Sequence, residues 1–489
     1  MTFIASTPPA IGSSPRDMAR AGGLHPIGLF VLLGGAFLPI ADFFIVNVAL
    51  PTIGTTLHAP PAALELVVAV YGVAYAALLV LGGRLGDRFG RHRLFGIGLV
   101  GFILASLACG IAPTIELLIV ARLVQGATAA LLVPQVLAIC HATLDGARRA
   151  RALALYGATS GIAAVIGQLA GGLLVSANIA GSAWRPIFLV NVPLGIALAV
   201  AARAVIPASR SARPTGIDII GTLLFAATLT ALLVPLAEGH ALGWPLWCWA
   251  MLAAAIVLAV STVIVEARAE RRGEVPLLPP SLLRLKSMSR GLAMITPYSI
   301  GFGAFMFVFA LTVQNGLHAG PFESGLAILP MAVMFLVGSA LSPALIGRFG
   351  RGALAMGGIA QAIGLAALIA VVTWRWPHVA LSDFAVPLVL VGAGQSMLFS
   401  GLFRAVLADV PAHHAGVGGG VLITLQQAGL ALGVATLGTI YLTLEPAGIA
   451  TAFAITVGVQ LAIIVALVAC VRLLPPFTQA TASAPVVEG

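Results

Sequence analysis

The chain has 489 residues, of which 60% are hydrophobic and 8% charged, with a mean hydropathy of +1.09. A soluble domain carries about 25% charged residues, so this composition excludes a soluble protein, a disordered tail and a fibrous repeat. The formal charge of +9 does not point to nucleic acid, because the arginines stand between apolar runs as topology signals rather than along a binding stripe.

The apolar stretches are continuous, as an all-α membrane protein requires, and lack the short alternation of a β-barrel. Fourteen crossings of about 20 residues each use roughly 280 residues and leave room for short loops. Residues 1–26 read as a polar cytoplasmic tail. The run from Ile27 to Leu50 is longer than the roughly 7–15 apolar residues of a cleavable leader, so it is expected to remain as an anchor. Helices are predicted over 27–50, 65–84, 94–112, 115–140, 152–176 and 186–206, a six-helix bundle over 27–206. Two more, 217–237 and 245–265, form an insertion with a cytoplasmic linker over 207–288. A second bundle over 289–472 holds 291–314, 324–345, 352–373, 384–407, 416–441 and 447–471, and residues 473–489 form a second cytoplasmic tail.

Charge bias sets the orientation. With the N-terminus inside, the inner loops hold Arg84, Arg88, Arg91, Arg93, Arg148, Arg149, Arg151 and most of the remaining basic residues, including the single lysine, Lys286. The outer loops hold only Arg185 and Arg375. This asymmetry predicts cytoplasmic termini and a multi-pass membrane protein.

Asp42 lies inside the first apolar run. A carboxylate there costs several kcal/mol unless it is paired, protonated or wetted, which makes it a group for exchanging a proton. Arg122 lies inside the fourth run. Asp42 is eight residues before Leu50 and Arg122 seven after Ile115, about 12 and 10 Å of helix, so the two are expected at similar depth. An arginine keeps its charge and would compete with the proton for the carboxylate, which is a coupling device; the blander alternative is a static ion pair. Phe43, Asn47, Tyr71, Tyr75, Gln125, Phe305 and Gln314 are candidates to line a cavity, Tyr71 and Tyr75 sharing a helix face at i, i+4.

The loop Gly83-Arg84-Leu85-Gly86-Asp87-Arg88-Phe89-Gly90-Arg91 reads as a conformational latch, with Gly83, Asp87, Arg88, Gly90 and Arg91 as its parts. Arg-Phe-Gly-Arg recurs at Arg348, Phe349, Gly350 and Arg351, 260 positions on (348 minus 88), at the equivalent place in the second block, which predicts a parallel repeat. The fifth helix carries Gly157, Gly161, Gly167, Gln168, Gly171 and Gly172, and the thirteenth carries Gly416, Gly420, Gly429 and Gly433, spacings that let backbones approach closely. His413 and His414 read as solvated loop residues. The four cysteines form no CxxC pair and read as small buried residues.

These residues carry a resemblance to the fourteen-helix drug:proton antiporters of the major facilitator superfamily, the multidrug-resistance efflux transporters, over residues 27–472. Gly83 to Arg93 is similar to the superfamily's cytoplasmic loop motif, and Asp42 to Pro51 to the first-helix motif of this branch. Arg122, Gln125, Gly126 and Pro134 match its fourth-helix motif, and Trp184 to Gly195 resembles the motif at the start of helix six. The fifth-helix antiporter motif departs, with Gln168 where that motif carries a proline. The resemblance implies two six-helix bundles plus two inserted helices, a small-molecule substrate, protons and the bilayer as partners, and a monomer, with envelope efflux partners left open. No cofactor or metal is expected, since the proton motive force supplies the energy. No nucleotide-binding loop or clustered catalytic set occurs, so the chain is not expected to be an enzyme. The expected function is drug efflux by antiport; the alternative is proton-coupled uptake, or metabolite export, of a small organic solute.

Overall fold

The computed structural model describes residues 24–144, 146–207, 216, 218–239, 242–274, 276–277, 279–410 and 415–474. Within them fourteen helices are long and apolar enough to cross a membrane. The first six are α1 (Pro26–Leu57), α2 (Pro61–Phe89), α3 (Arg91–Ile111), α4 (Ile115–Thr143), α5 (Leu155–Ala177) and α6 (Pro186–Val205). Then come α7 (Ile219–Leu236) and α8 (Leu246–Arg271), followed by α9 (Lys286–Gly316), α10 (Pro321–Phe349) and α11 (Arg351–Arg375). The last are α12 (Leu381–Leu407), α13 (Gly418–Ala447) and α14 (Ile449–Leu473). The described residues include no strand. His413, His414 and nearly all of both tails lie outside the described residues.

Local chemistry sets the starts. Pro26, Pro61, Pro186 and Pro321 occupy first helical positions, where a missing N–H costs nothing. Thr114 caps α4 by accepting from Leu117 N at 3.4 Å, and Asp218 caps α7 by accepting from Gly221 N at 2.7 Å. The first helix does not end before Pro51, as predicted, but runs through it to Leu57. Within a bundle a proline removes one backbone bond and neighbouring helices support the turn, so Pro39 and Pro51 are both carried inside α1.

Each span reverses the last, so α1 starts and α14 finishes on one face, here the proximal face; the other is distal. In the first half α1 packs on α5, α2 on α4, α3 on α4 and α3 on α6. In the second half α9 packs on α13, α10 on α12, α11 on α12 and α11 on α14. The pairs correspond one to one, so the repeat read from Arg-Phe-Gly-Arg is a repeat of packing. The turn glycines share it: Gly90 and Gly350 both have positive φ, +106° and +57°, where a side chain would be strained. Arg88 stacks on Phe89 and Arg348 on Phe349, 5.6 and 5.3 Å from the ring centroids.

The halves meet where α2 packs on α13 and α5 on α10. The inserted α7 lies against α2. Arg84 is no loop residue here. It is 4% exposed in the last turns of α2, and its guanidinium donates to the carbonyls of Pro276 and Gly216, beside the cap residue Asp218. Its role is to fasten the inserted pair to α2 at the proximal face.

Candidate functional site

Asp42 and Arg122 meet in the first half, 1% and 0% exposed, with a direct ion pair between Arg122 Nη1 and Asp42 Oδ2. The pairing does not follow from the expected depths. With α1 ending at Leu57, Asp42 lies fifteen residues from its end, about 22 Å, while Arg122 is about 10 Å into α4. The contact is decided by how the helices cross, which loop arithmetic cannot supply.

Three further groups complete the site. Asp42 Oδ1 accepts from Gln125 Nε2 at 2.9 Å and from Asn191 Nδ2 at 2.7 Å. Ser106 Oγ accepts from Gln125 Nε2 at 2.8 Å. Arg122 Nε donates to the carbonyl of Val67 at 3.0 Å, and its Nη1 also donates to Gln125 Oε1 at 2.7 Å. The guanidinium lies over the Tyr71 ring, 4.2 Å from its centroid, and near Phe188 at 5.6 Å. Tyr71 is held in turn by its hydroxyl, which donates to Pro39 O at 2.8 Å. Five helices, α1, α2, α3, α4 and α6, therefore converge on one carboxylate.

Asp42 accepts from three N–H donors: Arg122 Nη1 on Oδ2, and Gln125 Nε2 and Asn191 Nδ2 on Oδ1. Arg122 Nη2 is buried with no hydrogen-bond partner. Asn191 lies within the Trp184–Gly195 stretch without a signal of its own, and the sequence around Ser106 carries none.

Small residues make this convergence possible. A Cβ on Gly126 of α4 would collide with the carbonyl of Tyr71. We therefore expect Gly126→Val to push α4 off α2 and lower stability by about 1–3 kcal/mol, read by thermal unfolding in detergent. An unchanged midpoint would mean that α4 does not need this approach.

The stretch read as a loop is helical through Phe89, with only Gly90 before α3, and across that turn Asp87 Oδ1 accepts from Arg91 Nε at 2.9 Å and Nη2 at 2.7 Å. The pair is partly exposed, so it is worth little by itself. The glycines that face α4 are Gly82 and Gly86, whose Cβ atoms would meet the Ala130 carbonyl and the Gln135 side chain; Gly83 meets only Pro134 Cβ at 3.7 Å. In the second half, Arg351 Nη1 donates to Arg472 O at 2.9 Å.

In α5, Gly167 and Gly171 face α1, with Cβ positions 2.5 Å from Ala41 O and 2.7 Å from Ile45 O. Gly172 and Gly161 face α10, at Pro321 O and the Phe335 ring. Gln168 sits beside Met306 of α9, Nε2 to Sδ 3.5 Å. This helix thus touches both halves.

The residues expected to line a cavity are instead buried in this state. Phe43, Asn47, Tyr71, Tyr75, Gln125, Phe305 and Gln314 are all 8% exposed or less. Phe43 lies 6.0 Å from Tyr71, Asn47 bonds its own helix, and Phe305 stacks on Phe309 at 5.6 Å. Gln314 Nε2 donates across the halves to Val48 O at 3.0 Å. Phe322 N donates to Ser176 Oγ at 3.0 Å and Thr439 Oγ1 to Glu65 Oε2 at 2.9 Å, so several cross-half bonds gather at the distal end. Toward the proximal end a Cβ on Gly157 would meet nothing within 4 Å. There the half-buried rings of Phe335, Phe399 and Phe403 form a ladder with centroids 5.9 and 4.6 Å apart. Their positions in the sequence carried no signal that separated them from other apolar residues.

The second-half acids Glu323, Asp383 and Glu445 cap or bond near the ends of α10, α12 and α13, and Asp409 follows the end of α12. Two further acids are buried within helices. Glu65 is 2% exposed in α2 and Glu266 1% exposed in α8. Among the described residues no group of three or more His, Cys, Asp or Glu side chains could hold a metal ion.

A sequence model of the Major Facilitator Superfamily matches residues 32–221 and 218–434. The chain is 34% identical over 414 residues to the "Probable actinorhodin transporter" of Streptomyces coelicolor, covering 84% of this chain and 72% of that one. It is 34% identical over 440 residues to the "Puromycin resistance protein pur8" of Streptomyces alboniger, covering 88% and 85%. It is 32% identical over 437 residues to the "Methylenomycin A resistance protein" of Streptomyces coelicolor, covering 88% and 89%. Among solved structures, the fold matches a crystal structure of the peptide transporter POT in complex with sulfate. The TM-score is 0.67 at 16% identity, over 95% of this chain and all of that one.

Proposed function

Because the chain belongs to the major facilitator superfamily, we propose that this membrane transporter is a drug:proton antiporter that exports amphipathic small organic compounds by alternating access. Its proximal face is then cytoplasmic, and the membrane is the bacterial inner membrane. The observation that carries the reading is the fully buried Asp42 carboxylate, held by Arg122, Gln125 and Asn191. A proton arriving at Asp42 removes the reason for Arg122 to stay on it. Arg122 can then fall back on Val67 O, Gln125 Oε1 and the Tyr71 ring, so protonation and a shift of α4 against α1 are linked. The distal bonds at Gln314, Ser176 and Glu65 would be those broken when the opposite state opens. A distal end held closed, with Asp42 paired to Arg122, suits a carrier that has released its proton inward and is ready for substrate.

Relatives described as resistance proteins favour efflux over uptake. The test is a susceptibility screen in a drug-sensitive host expressing the chain, with and without a protonophore. Resistance that survives the protonophore would rule out proton coupling.

Substrates should be neutral or singly cationic. A dication in a low-dielectric cavity wants two carboxylates, and Asp42 is committed to Arg122 while Glu65 lies in the α2–α13 contact. Resistance to a monovalent quaternary dye should exceed that to a bisguanidine of similar size. Strong resistance to the bisguanidine, lost in Glu65→Gln, would overturn the assignment of Glu65 to helix contact.

A further inference from the structure

Two clefts open to the lipid on the proximal face, and they occupy equivalent places in the repeat. One, of about 530 Å³, lies between α3 and α6; the other, of about 560 Å³, lies between α11 and α14. These are the third and sixth helices of each half. At the mouth of the first stand His92, Arg93 and Arg203, and below them run Gly96, Ile97 and Leu104. Arg351 and Arg472 stand at the second, above Ala355 and Val468. No acidic residue lines either cleft. Among the described residues Arg93 and Arg203 form no ion pair, and the nearby Asp87 is taken by Arg91.

The shape of the first cleft limits its occupant. Gly96 leaves a notch, since a Cβ there would meet nothing within 4 Å. Ile97 and Leu104 are 58% and 60% exposed along it. From Arg93 to Leu104 is eleven residues, about 16 Å of helix, close to half the roughly 30 Å hydrocarbon core. The cleft is therefore as deep as one leaflet, apolar below and cationic at headgroup level. A partner transmembrane helix would need an apolar face along the whole span, and this cleft stops midway.

We propose that the α3–α6 cleft binds an anionic glycerophospholipid, headgroup on Arg93 and Arg203 and one acyl chain over Gly96 and Ile97, and that the α11–α14 cleft is its counterpart. The proposal rests on the membrane fold and is independent of proton coupling. Both sites sit on helices that close the outer flank of each half, so a bound lipid would brace α3 against α6 and α11 against α14.

The test uses the full chain, delipidated in mild detergent and titrated with phosphatidylglycerol or phosphatidylcholine of the same chains, with retention read by native mass spectrometry. Phosphatidylglycerol should be retained preferentially, up to two per chain, and excess inorganic phosphate should not displace it. The double variant Arg93→Ala/Arg203→Ala should weaken one site on the order of 25-fold, about fivefold for each arginine at a charged surface. Gly96→Leu should remove the same site with both arginines in place, because it fills the notch. Thermal unfolding checks that each variant is folded, and Arg284→Ala, an exposed residue away from both clefts, should change nothing. Equal retention of the two lipids, or retention unchanged in both the double variant and Gly96→Leu, would overturn the proposal.

Discussion

Asp42→Asn should reduce drug resistance to that of the host without the protein, while insertion and expression persist. The amide has the carboxylate's shape but cannot take up and release a proton. It can still offer one oxygen to Gln125 Nε2 and Asn191 Nδ2. Its NH2 group would then point at Arg122 Nη1, donor against donor, where Oδ2 now accepts. Arg122 would keep Val67 O, Gln125 Oε1 and the Tyr71 ring, so the fold has a fallback and the loss should be functional. A buried donor left without its acceptor costs about 1–3 kcal/mol, within reach of a thermal-unfolding measurement. The decisive assay is proton-driven uptake of a fluorescent substrate into everted vesicles. Full activity with an unchanged pH dependence would remove Asp42 from the proton path.

Arg122→Ala should uncouple transport and cost more stability than Asp42→Asn. It leaves a fully buried carboxylate with only Gln125 and Asn191, and breaking a buried pair from one side costs about 3–5 kcal/mol. Arg122→Lys should be partly tolerated, since it restores charge but not the planar group that reaches Asp42, Gln125 and Val67 together while stacking on Tyr71. The double variant Asp42→Asn/Arg122→Ala should lose less stability than the sum of the singles, because each single change strands the other partner. Additive losses would mean that the two residues are not energetically coupled, whatever their geometry.

Much of the architecture was legible. Fourteen apolar runs, the arginine asymmetry and one repeated tetrapeptide sufficed for the class, the count of crossings and the two-block plan, because a membrane crossing is a matter of length and composition. Asp42 and Arg122 stood out for the same reason: an ionisable residue in an apolar run is conspicuous by its cost. Helix ends were less legible. Pro51 reads as a stop in isolation and is carried within α1.

What the sequence could not supply is which buried polar groups meet. Asn191, Ser106 and Gln125 are ordinary polar residues in apolar helices, and only the crossing of α3, α4 and α6 over α1 brings them to Asp42. Arg84 reads as one more basic loop residue, yet the docking of α7 and the linker against α2 buries it. Phe43 and Tyr71 look like cavity aromatics by type and are packed, whereas Phe335, Phe399 and Phe403 are left half-buried by the spacing of α5, α10 and α12. The physical reason is the solvent. In hydrocarbon both faces of a helix are apolar, so periodicity, which marks the buried face of a soluble helix, does not distinguish lipid from core. Composition and run length therefore determine that the described residues form fourteen helices able to cross a membrane. Close approaches at glycines such as Gly126 and Gly167 decide which side chains share the interior.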